Sequence, residues 1–270
     1  METHELTTTA PREATNLFRV DGKVALVTGG YGGIGQAVCN GLGAIGARVA
    51  VAGHNPERAA ACAEALRQCG YDAYGATFDA LSPPDVERMV DEVASHFGRL
   101  DILVDAIGGQ QEEKAGSVTE ANFDYIVGAN LKTALFQGQS AAKHMIRQGT
   151  GGKLVYFGSV RSQLGLRGRG FAAYCAAKGG LTILCKQLAA EWAEHGINVN
   201  VLAPTFTRTP QAERWLDDPE FYRNLIARIP MGRIAETGDI VSAVQFFVSP
   251  ASNFITGQTL YLDGGITATQ

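Results

Sequence analysis

The 270-residue sequence predicts an α/β fold, a doubly wound parallel sheet of seven strands in a single domain. From residue 23 onward, short β-branched or apolar runs alternate with longer stretches of helical spacing, the pattern of parallel strands joined by helices. Most of the runs are apolar throughout, as strands covered on both faces must be. A composition of 46% hydrophobic and 19% charged residues supplies enough apolar side chains for one large core.

Seven short runs are the candidate strands, and the helices lie between them. Asn55-Pro56 and Ser82-Pro83 mark two helix starts, because a side-chain oxygen can accept an unpaired backbone N–H and proline fits the first helical position. The predicted strands are residues 24–28, 49–52, 73–77, 102–105, 154–157, 198–202 and 259–262. One helical face near the C-terminus predicts a helix packed on the sheet, through Ile240, Ala243, Val244, Phe247 and Val248.

Two segments stand apart from this alternation. Residues 1–16 are polar and Thr-rich, so we expect a flexible N-terminal tail that is neither a signal peptide nor a membrane anchor, followed by the domain at 17–270. Residues 205–233 carry three prolines and several large aromatic residues, which predicts an excursion off the sheet that acts as a substrate lid.

Charge and cysteine usage narrow the partners. A net charge of -4 offers no basic field for a nucleic acid, and no run reaches the roughly 20 apolar residues that a bilayer requires. The cysteines are odd in number, scattered, and without metal-ligand spacing, so we expect a cytoplasmic protein with a small-molecule substrate, no bound metal, and no reactive thiol. They are Cys39, Cys62, Cys69, Cys175 and Cys185.

The first predicted strand runs into the glycine-rich segment TGGYGGIG at residues 28–35, and helical spacing follows at once. Glycines let the backbone approach a pyrophosphate, while the new helix directs its free N–H groups at the anion. A tight turn without a ligand and a methyl-donor site are alternatives. The position after the first strand of a βαβ unit favours a dinucleotide.

The end of the second strand bears on the choice between NADP and NAD. Gly53 and His54 stand where an acidic residue would bind the ribose hydroxyls, so the usual determinant of NAD binding is missing. A 2′-phosphate could be received by Arg48 or His54, and both could instead be ordinary surface residues. The sequence therefore favours NADP over NAD. Asp79, after the third strand, is placed to accept from the adenine amino group, or is a plain loop aspartate.

Tyr174 and Lys178 stand four residues apart and so project from one face of a helix. A neighbouring ammonium favours phenolate over phenol, so we expect Lys178 to lower the pKa of Tyr174 toward the range where it exchanges protons. Ser159 follows the fifth strand, where its hydroxyl could bind a substrate oxygen, and Asn130 lies within a long helical pattern. Asn130 could complete a proton path with Lys178, or simply satisfy a helix backbone.

With these residues assembled, the chain closely resembles the short-chain dehydrogenase/reductase family, from about residue 17 to the C-terminus. The segments that carry the resemblance are TGGYGGIG, NLKTALF with Asn130, YFGSV with Ser159, the YCAAK helix, GINVNVLAP and LDGG. The resemblance implies a Rossmann sheet, hydride transfer between nicotinamide and carbon, and a homotetramer built partly from the helices that bear Asn130 and Tyr174. It implies a catalytic tetrad of Asn130, Ser159, Tyr174 and Lys178.

The same resemblance implies a set of cofactor contacts that runs along the whole crevice. Thr209 is expected to meet the nicotinamide carboxamide, and Lys178 to hold the nicotinamide ribose. The implied cofactor-binding residues are Gly29, Tyr31, Gly32, Gly33, Ile34, Gly35, Gly53, His54, Asp79, Ala80, Ala106, Ile107, Gly108, Tyr174, Lys178, Pro204, Thr205, Thr207 and Thr209.

The chain also departs from the family pattern. Where the family shows Asn-Asn-Ala-Gly after the fourth strand, this chain has residues 105–108 as Asp-Ala-Ile-Gly, which removes a stabilising amide. The interval from Ser159 to Tyr174 is two residues longer than usual. We expect Ser159 rather than Ser162 to serve, and the loop 161–170 to be reshaped around the substrate.

GSVRS, APTFTRTP, DPEF, RIPMGR and DGGITA are similar to family members described as gluconate 5-dehydrogenase or 2-deoxy-D-gluconate 3-dehydrogenase. A sugar acid or polyol is therefore the expected substrate, with Gln110, Arg161 and Trp215 as substrate contacts and Arg161 suited to a carboxylate. The turn at 109–111 is similar to that of enoyl-thioester reductases, so a 3-oxoacyl- or enoyl-thioester reductase is the alternative. A non-catalytic dinucleotide sensor would need the glycine turn but not the Tyr-Lys pair.

Overall fold

The computed structural model describes residues 14–269, and residues 1–13 of the expected tail lie outside the described residues. A single sheet of seven parallel strands forms the centre, in the order β3-β2-β1-β4-β5-β6-β7. The strands are β1 (Val24–Thr28), β2 (Arg48–Gly53), β3 (Ala73–Thr77), β4 (Ile102–Asp105), β5 (Gly152–Phe157), β6 (Ile197–Pro204) and β7 (Thr259–Leu262). The predicted α/β class, strand number and parallel arrangement are confirmed.

Nine α-helices are present between residues 14 and 269. They are α1 (Gly33–Ala44), α2 (Pro56–Gln68), α3 (Pro83–Phe97), α4 (Glu120–Val127), α5 (Thr133–Gln148), α6 (Ala172–Trp192), α7 (Pro210–Leu216), α8 (Pro219–Ile226) and α9 (Thr237–Val248). Buried side chains of α1, α2 and α9 pack on one face of the sheet, and those of α3, α5 and α6 on the other. None of the helices in these residues is long and apolar enough to cross a membrane.

The two predicted helix starts differ in detail. The Asn55 side chain accepts the backbone N–H of Arg58 at 2.8 Å, as expected of an N-cap. Ser82 stands at the start of α3, but its hydroxyl accepts no backbone N–H, so that part of the prediction is wrong. The Asp85 carboxylate accepts the N–H of Asp79 at 2.6 Å instead, which fixes the preceding turn.

Residues 205–233 leave the sheet after β6, as expected, and contain the short helices α7 and α8. Their apolar side chains form a small separate cluster around Leu225, Ile229 and Ile234. A backbone bridge between Thr207 and Ala235 closes the base of this excursion. The excursion therefore has its own packing and lies beside the sheet edge where β5 and β6 end.

The predicted C-terminal helix corresponds to α9. Ile240, Val244, Phe247 and Val248 are buried against the sheet, while Ala243 is partly exposed. A 3-10 helix at Ala14–Phe18 precedes β1 and includes the last three positions assigned to the tail.

Candidate active site

A cavity of about 720 Å³ opens at the carboxyl ends of β4, β5 and β6. Ligand crevices of open parallel sheets lie at the carboxyl ends of the strands, next to the point where the strand order reverses. In this sheet the order reverses between β1 and β4. The loop after β5, helix α6 and the excursion at 205–233 form its remaining walls. Predicted site residues that line it are Ile34, Ala106, Ile107, Gly108, Gln110, Ser159, Arg161, Tyr174, Lys178, Pro204, Thr205, Thr209 and Trp215.

The glycine-rich turn has the geometry that a phosphate site requires. Gly29 has a φ of +67°, a conformation that favours glycine, and a Cβ on Gly35 would lie 2.1 Å from the Gly29 carbonyl oxygen. The turn and helix α1 could not pack so closely with side chains at these positions. No side chain caps the amino end of α1 at Gly32, which leaves its first N–H groups available to an anion.

Tyr31 covers the end of β2. A Cβ on Gly53 would lie 2.4 Å from the Tyr31 ring, so the absence of a side chain at Gly53 makes room for the aromatic ring. The Tyr31 hydroxyl accepts the N–H of Asn55 at 2.8 Å and lies 3.2 Å from Nδ1 of His54. No carboxylate takes the place that would bind ribose hydroxyls.

Arg58 is a residue that the sequence reasoning missed. Its guanidinium carbon lies 4.6 Å from the centre of the Tyr31 ring, and its Nη2 donates to the Tyr31 carbonyl at 3.2 Å. The available signal was a basic residue in the first turn of the helix after the second strand. Arg48, which was suggested from the sequence, lies far from this position because it begins β2, at the amino ends of the strands. It donates to Asp72 at 2.7 Å, so the suggestion that Arg48 receives a phosphate is wrong.

His54 and Asp79 line a second, shallower cavity of about 400 Å³ beside the end of β3. One oxygen of Asp79 accepts the N–H of Leu81 at 2.9 Å, which leaves the other free. Ala80 packs partly against the core. Thr207 is buried, and its hydroxyl donates to the Thr205 carbonyl at 3.2 Å, so it faces away from both cavities.

Tyr174 and Lys178 share one face of α6, as predicted. The ammonium nitrogen of Lys178 lies 5.8 Å from the centre of the Tyr174 ring and donates to the Phe157 carbonyl at 2.7 Å. Burial lowers the pKa of Lys178 to about 8, while the Asp105 carboxylate acts to raise it. Burial raises the pKa of Tyr174, because it disfavours the charged phenolate. The Ser159 hydroxyl and the charge of Arg161 oppose that rise.

Burial thus raises the pKa of Tyr174, whereas we expected this pKa to be lowered. The ammonium is directed to a backbone carbonyl rather than to the phenol, and burial dominates the phenol. The cation that counteracts this burial is Arg161, on the loop after β5. This arrangement follows from the packing of that loop on α6, which sequence spacing alone does not reveal.

Ser159 follows β5 and faces the cavity. Its Oγ accepts the backbone N–H of Arg161 at 3.1 Å, which leaves the hydroxyl proton free to donate elsewhere. Ser162 donates to the Ser159 carbonyl at 2.8 Å, lies 3.1 Å from the Tyr261 hydroxyl, and does not line the cavity. The structure thus supports the choice of Ser159 over Ser162.

Asn130 lies in a short π-helical segment, Gly128–Lys132, between α4 and α5. Its amide nitrogen donates to the carbonyls of Ile126 and Gly109 at 2.8 and 2.7 Å, so the helix distortion and the loop after β4 are joined through one side chain. Its Oδ1 is buried and has no hydrogen-bond partner in the described chain. A Cβ on Gly108 would lie 3.2 Å from this oxygen and 3.7 Å from Nζ of Lys178.

Asp105, the departure from the family pattern, is buried at the end of β4. Its Oδ1 accepts the Thr28 hydroxyl at 2.9 Å and the N–H of Ile107 at 3.0 Å. Burial raises the pKa of Asp105, and the Lys178 charge counteracts it. The carboxylate therefore accepts bonds that stabilise the turn after β4, and adds a negative charge behind Lys178.

The substrate wall carries more guanidinium groups than the sequence suggested. Arg161 is half-buried, whereas Gln110 and Trp215 are exposed. Arg214 and Arg228, both on the excursion, line the same cavity and were not predicted. Arg169 also lines it, but is paired with Glu112, whose pKa falls to about 2 because of that hydrogen bond. Among residues 14–269, no cluster of His, Cys, Asp or Glu side chains could hold a metal ion, and the five cysteines are free.

Comparison with known proteins agrees with this geometry. A family model described as Enoyl-(Acyl carrier protein) reductase matches residues 29–267. The chain belongs to the short-chain dehydrogenase/reductase family. As such it is an oxidoreductase, and the predicted resemblance is confirmed.

Two relatives and one solved structure are similar to this short-chain dehydrogenase/reductase along nearly its whole length. An uncharacterized oxidoreductase of Mycobacterium tuberculosis is 38% identical over 274 residues, covering 99% of this chain and 100% of the relative. Gluconate 5-dehydrogenase of Gluconobacter oxydans is 36% identical over 255 residues, covering 93% of this chain and 97% of the relative. The crystal structure of a gluconate 5-dehydrogenase from Burkholderia cenocepacia, in complex with NADP and tartrate, has a TM-score of 0.91 and 35% identity, covering 95% of this chain and all of that one.

Proposed function

We propose that this chain transfers hydride between NADP and a secondary alcohol or ketone of a sugar acid or polyol, with Tyr174 as the proton-transfer residue. The observation that supports this most is the convergence of Ser159, Tyr174 and Lys178 in one cavity that Arg161 also lines. The names of the gluconate 5-dehydrogenases among its relatives support a sugar acid as the substrate.

The residues of the cavity divide the chemistry between them. The nicotinamide, when bound, supplies or accepts the hydride. The free hydroxyl proton of Ser159 hydrogen-bonds the substrate oxygen and polarises the carbon–oxygen bond. Tyr174 gives a proton to that oxygen during reduction and takes it back during oxidation, so each turnover moves one hydride and one proton.

Lys178 and Asn130 are placed to carry the proton of the Tyr174 hydroxyl to and from solvent. The unpartnered Oδ1 of Asn130 and the ammonium of Lys178 flank Gly108, and a water between them would satisfy the buried oxygen. A proton leaving Tyr174 can pass along this line toward solvent. Lys178, positively charged below a pH of about 8, also stabilises the phenolate electrostatically when the tyrosine proton leaves.

NADP is the cofactor that the site residues fit best. The uncapped start of α1 suits a pyrophosphate, and the end of β2 has Gly53 where a carboxylate would repel a 2′-phosphate. We propose that Arg58 and His54, both held by Tyr31, bind that phosphate. Guanidinium groups match phosphate oxygens through paired donors.

A thioester reductase is the second candidate, because the matching family model carries that description and Gln110 stands in the turn after β4. The cavity wall favours the sugar acid, since Arg161 and Arg228 present charge where an acyl chain would need apolar surface. A dinucleotide sensor without catalysis is a third reading, and would not need the convergence at Tyr174.

The test is reduced-cofactor absorbance with a panel of sugar acids, polyols and acyl thioesters, using wild-type protein, Tyr174→Phe, and Tyr71→Phe as a control far from the cavity. We expect turnover with D-gluconate-like compounds and NADP, and a loss of about 10²- to 10⁴-fold in kcat for Tyr174→Phe alone. NADP affinity should stay within about threefold. Turnover of thioesters only would discard the substrate class, and full activity of Tyr174→Phe would discard the mechanism.

We also propose four features at the level of the molecule. The excursion at 205–233 acts as a substrate lid on the domain at 17–270, and residues 1–16 as a flexible tail.

The chain forms a homotetramer, because α4, α5 and α6 carry exposed apolar side chains at Phe123, Leu135 and Ile183. Light scattering would then give four times 28.6 kDa. It resides in the cytoplasm, which cell fractionation would test, because its cysteines are free.

A further inference from the structure

Three guanidinium groups in the cavity, those of Arg161, Arg214 and Arg228, make none of the ion pairs that neighbouring arginines make within residues 14–269. Arg169 pairs with Glu112, Arg208 with Glu213 and Glu236, and Arg233 with Asp239. Within residues 14–269, neither Arg161 nor Arg228 has a carboxylate within 4.0 Å. Both line the cavity that contains Tyr174. A cation left without a partner beside a reaction site suits an anionic ligand.

Arg161 is held in place by its own loop. Its Nη1 donates to the carbonyls of Leu164 and Gly165 at 3.1 and 2.7 Å, while Nε and Nη2 have no acceptor in the part of the chain that the structure describes. This leaves part of the donor fork for a ligand.

Arg228 approaches from the excursion. Its Nε donates to the Asn224 carbonyl at 3.1 Å, and among residues 14–269 neither terminal nitrogen has an acceptor. Leu225 and Ile229, on either side of it, are buried in the small cluster of the excursion, so the backbone that carries Arg228 is fixed although its side chain is exposed. The guanidinium is thus presented by the segment proposed as the lid.

The positive charges of Arg161 and Arg228 repel each other. Burial lowers the pKa of Arg161, and the charge of Arg228 lowers it further. An anion between them would relieve this repulsion. The charge of Arg161 also acts on Tyr174, so an anion bound there lies within electrostatic reach of the reacting oxygen.

We propose that Arg161 and Arg228 form a two-sided cradle for the substrate's carboxylate, and that Arg228 closes the excursion over anionic substrates specifically. This assignment rests on the proposed function for the position of the reacting carbon. It adds Arg228 as a specificity residue and narrows the substrate to a carboxylate-bearing alcohol or ketone, as against a neutral polyol. Arg214 has a different environment, because its guanidinium carbon lies 5.2 Å from the Trp215 ring.

The experiment compares Arg161→Gln, Arg228→Gln and Arg228→Lys with Arg223→Gln as a matched control, because Arg223 lies on the same excursion, is exposed and does not line the cavity. D-gluconate is the anionic probe and D-sorbitol the neutral one. We expect KM for D-gluconate to rise roughly 10- to 100-fold in the two glutamine variants of the cradle, with kcat within about threefold. Arg228→Lys should recover part of the loss, since it keeps charge but not the fork. KM for D-sorbitol should change little in all variants, and KM for D-gluconate should change little in Arg223→Gln.

A binding measurement separates this proposal from the proposed function. Tryptophan fluorescence of the Tyr174→Phe protein, titrated with D-gluconate, reports binding without turnover. Weakened binding in Tyr174→Phe/Arg228→Gln would support the cradle even if no sugar acid were turned over. Catalysis of D-gluconate with unchanged dissociation constants in both glutamine variants would overturn the cradle and leave the proposed function standing. An equal loss for D-gluconate and D-sorbitol would also overturn it.

Discussion

At the scale of single residues, Asp105 adds a charge that the usual family asparagine lacks. The carboxylate accepts the Thr28 hydroxyl and the N–H of Ile107, two contacts that an amide oxygen could make equally well. What an amide cannot supply is the negative charge that raises the pKa of Lys178 against burial. The substitution in the family pattern is therefore an electrostatic change at the proton path, with the fold of the turn retained.

Replacing Asp105 by Asn should move the alkaline limit of activity to lower pH. Lys178 has a pKa of about 8, and Asp105 raises it, so removing the carboxylate lets the ammonium lose its proton at lower pH. The charged form is the one that supports Tyr174, so kcat/KM should begin to fall at lower pH than in the wild type. At pH 6, where Lys178 is charged in both proteins, the rates should agree within about twofold.

Asp101→Asn is the matched control for Asp105→Asn. Asp101 is also buried and adjoins the same strand, but at the opposite edge of the sheet, where it pairs with Arg99 and Lys23. Its loss should cost stability and leave the shape of the pH profile unchanged. An alkaline limb that stays in place in Asp105→Asn would show that this carboxylate does not support Lys178.

The central site residues could be predicted because each lies within a local motif. Tyr174 and Lys178 are set by the period of one helix, and Ser159 by the end of a strand. Arg58 and Arg228 were missed because their roles arise from tertiary packing: one stacks on Tyr31 from the preceding turn, and the other is carried by a separate apolar cluster. The direction of the Tyr174 pKa was wrong for the same reason, since burial is a property of the assembled core.

At the scale of elements, the start of α2 determines how the end of β2 meets a cofactor. Asn55 caps the helix and donates its own N–H to the Tyr31 hydroxyl, which ties the glycine turn to the second crossover. Arg58 lies one helical turn later and reaches back over the Tyr31 ring. Cap, ring and guanidinium form a single surface beside Gly53.

Arg58→Gln should weaken NADP binding about tenfold and leave NAD binding within about twofold, because only NADP carries the 2′-phosphate. Fluorescence titration with NADPH and NADH measures both constants. Arg67→Gln is the control, since Arg67 is in the last turn of the same helix and pairs with Glu64. An equal loss for both cofactors would mean that Arg58 supports Tyr31 rather than the phosphate.

All seven predicted strands correspond to strands of the sheet, and only their ends differ from the prediction. The strands at 24–28, 73–77, 102–105 and 259–262 were predicted with their observed bounds, whereas β2, β5 and β6 extend further. The extra residues, such as Arg48 and Gly53, pair in the sheet because neighbouring strands continue there, a fact outside the local pattern. The hydroxyl of Ser82 accepts no backbone N–H of α3, and the Asp85 carboxylate instead accepts the N–H of Asp79 in the preceding turn.

At the scale of the whole molecule, the amino ends and the carboxyl ends of the strands are built differently. At the amino ends of the strands, Asp101 binds Lys23, Arg99 and the N–H of Val24, and Lys153 donates to Asn198 and Asn253. Burial acts to raise the pKa of Asp101, but these donors lower it overall. The carboxyl ends instead carry the larger cavity, about 720 Å³ against about 410 Å³ at the amino ends, together with the excursion and the arginines that lack ion pairs in the described residues. We therefore expect the amino ends to stay fixed while the excursion moves over the cavity.

Amide hydrogen exchange should show the excursion at 205–233 closing on NADP. A Cβ on Gly33 would lie 2.6 Å from Cβ of Thr209, so the excursion already contacts the amino end of α1, where the pyrophosphate is expected. A cofactor held between them should slow exchange in 207–216 and 29–35 by about tenfold or more, because it stabilises the closed arrangement. Amides of 150–152 and 196–198, at the fixed edge, should keep their rates and serve as the internal control. Unchanged exchange in 207–216 at saturating NADP would mean that the excursion is a rigid wall, and specificity for carboxylates would then depend on a preformed cradle.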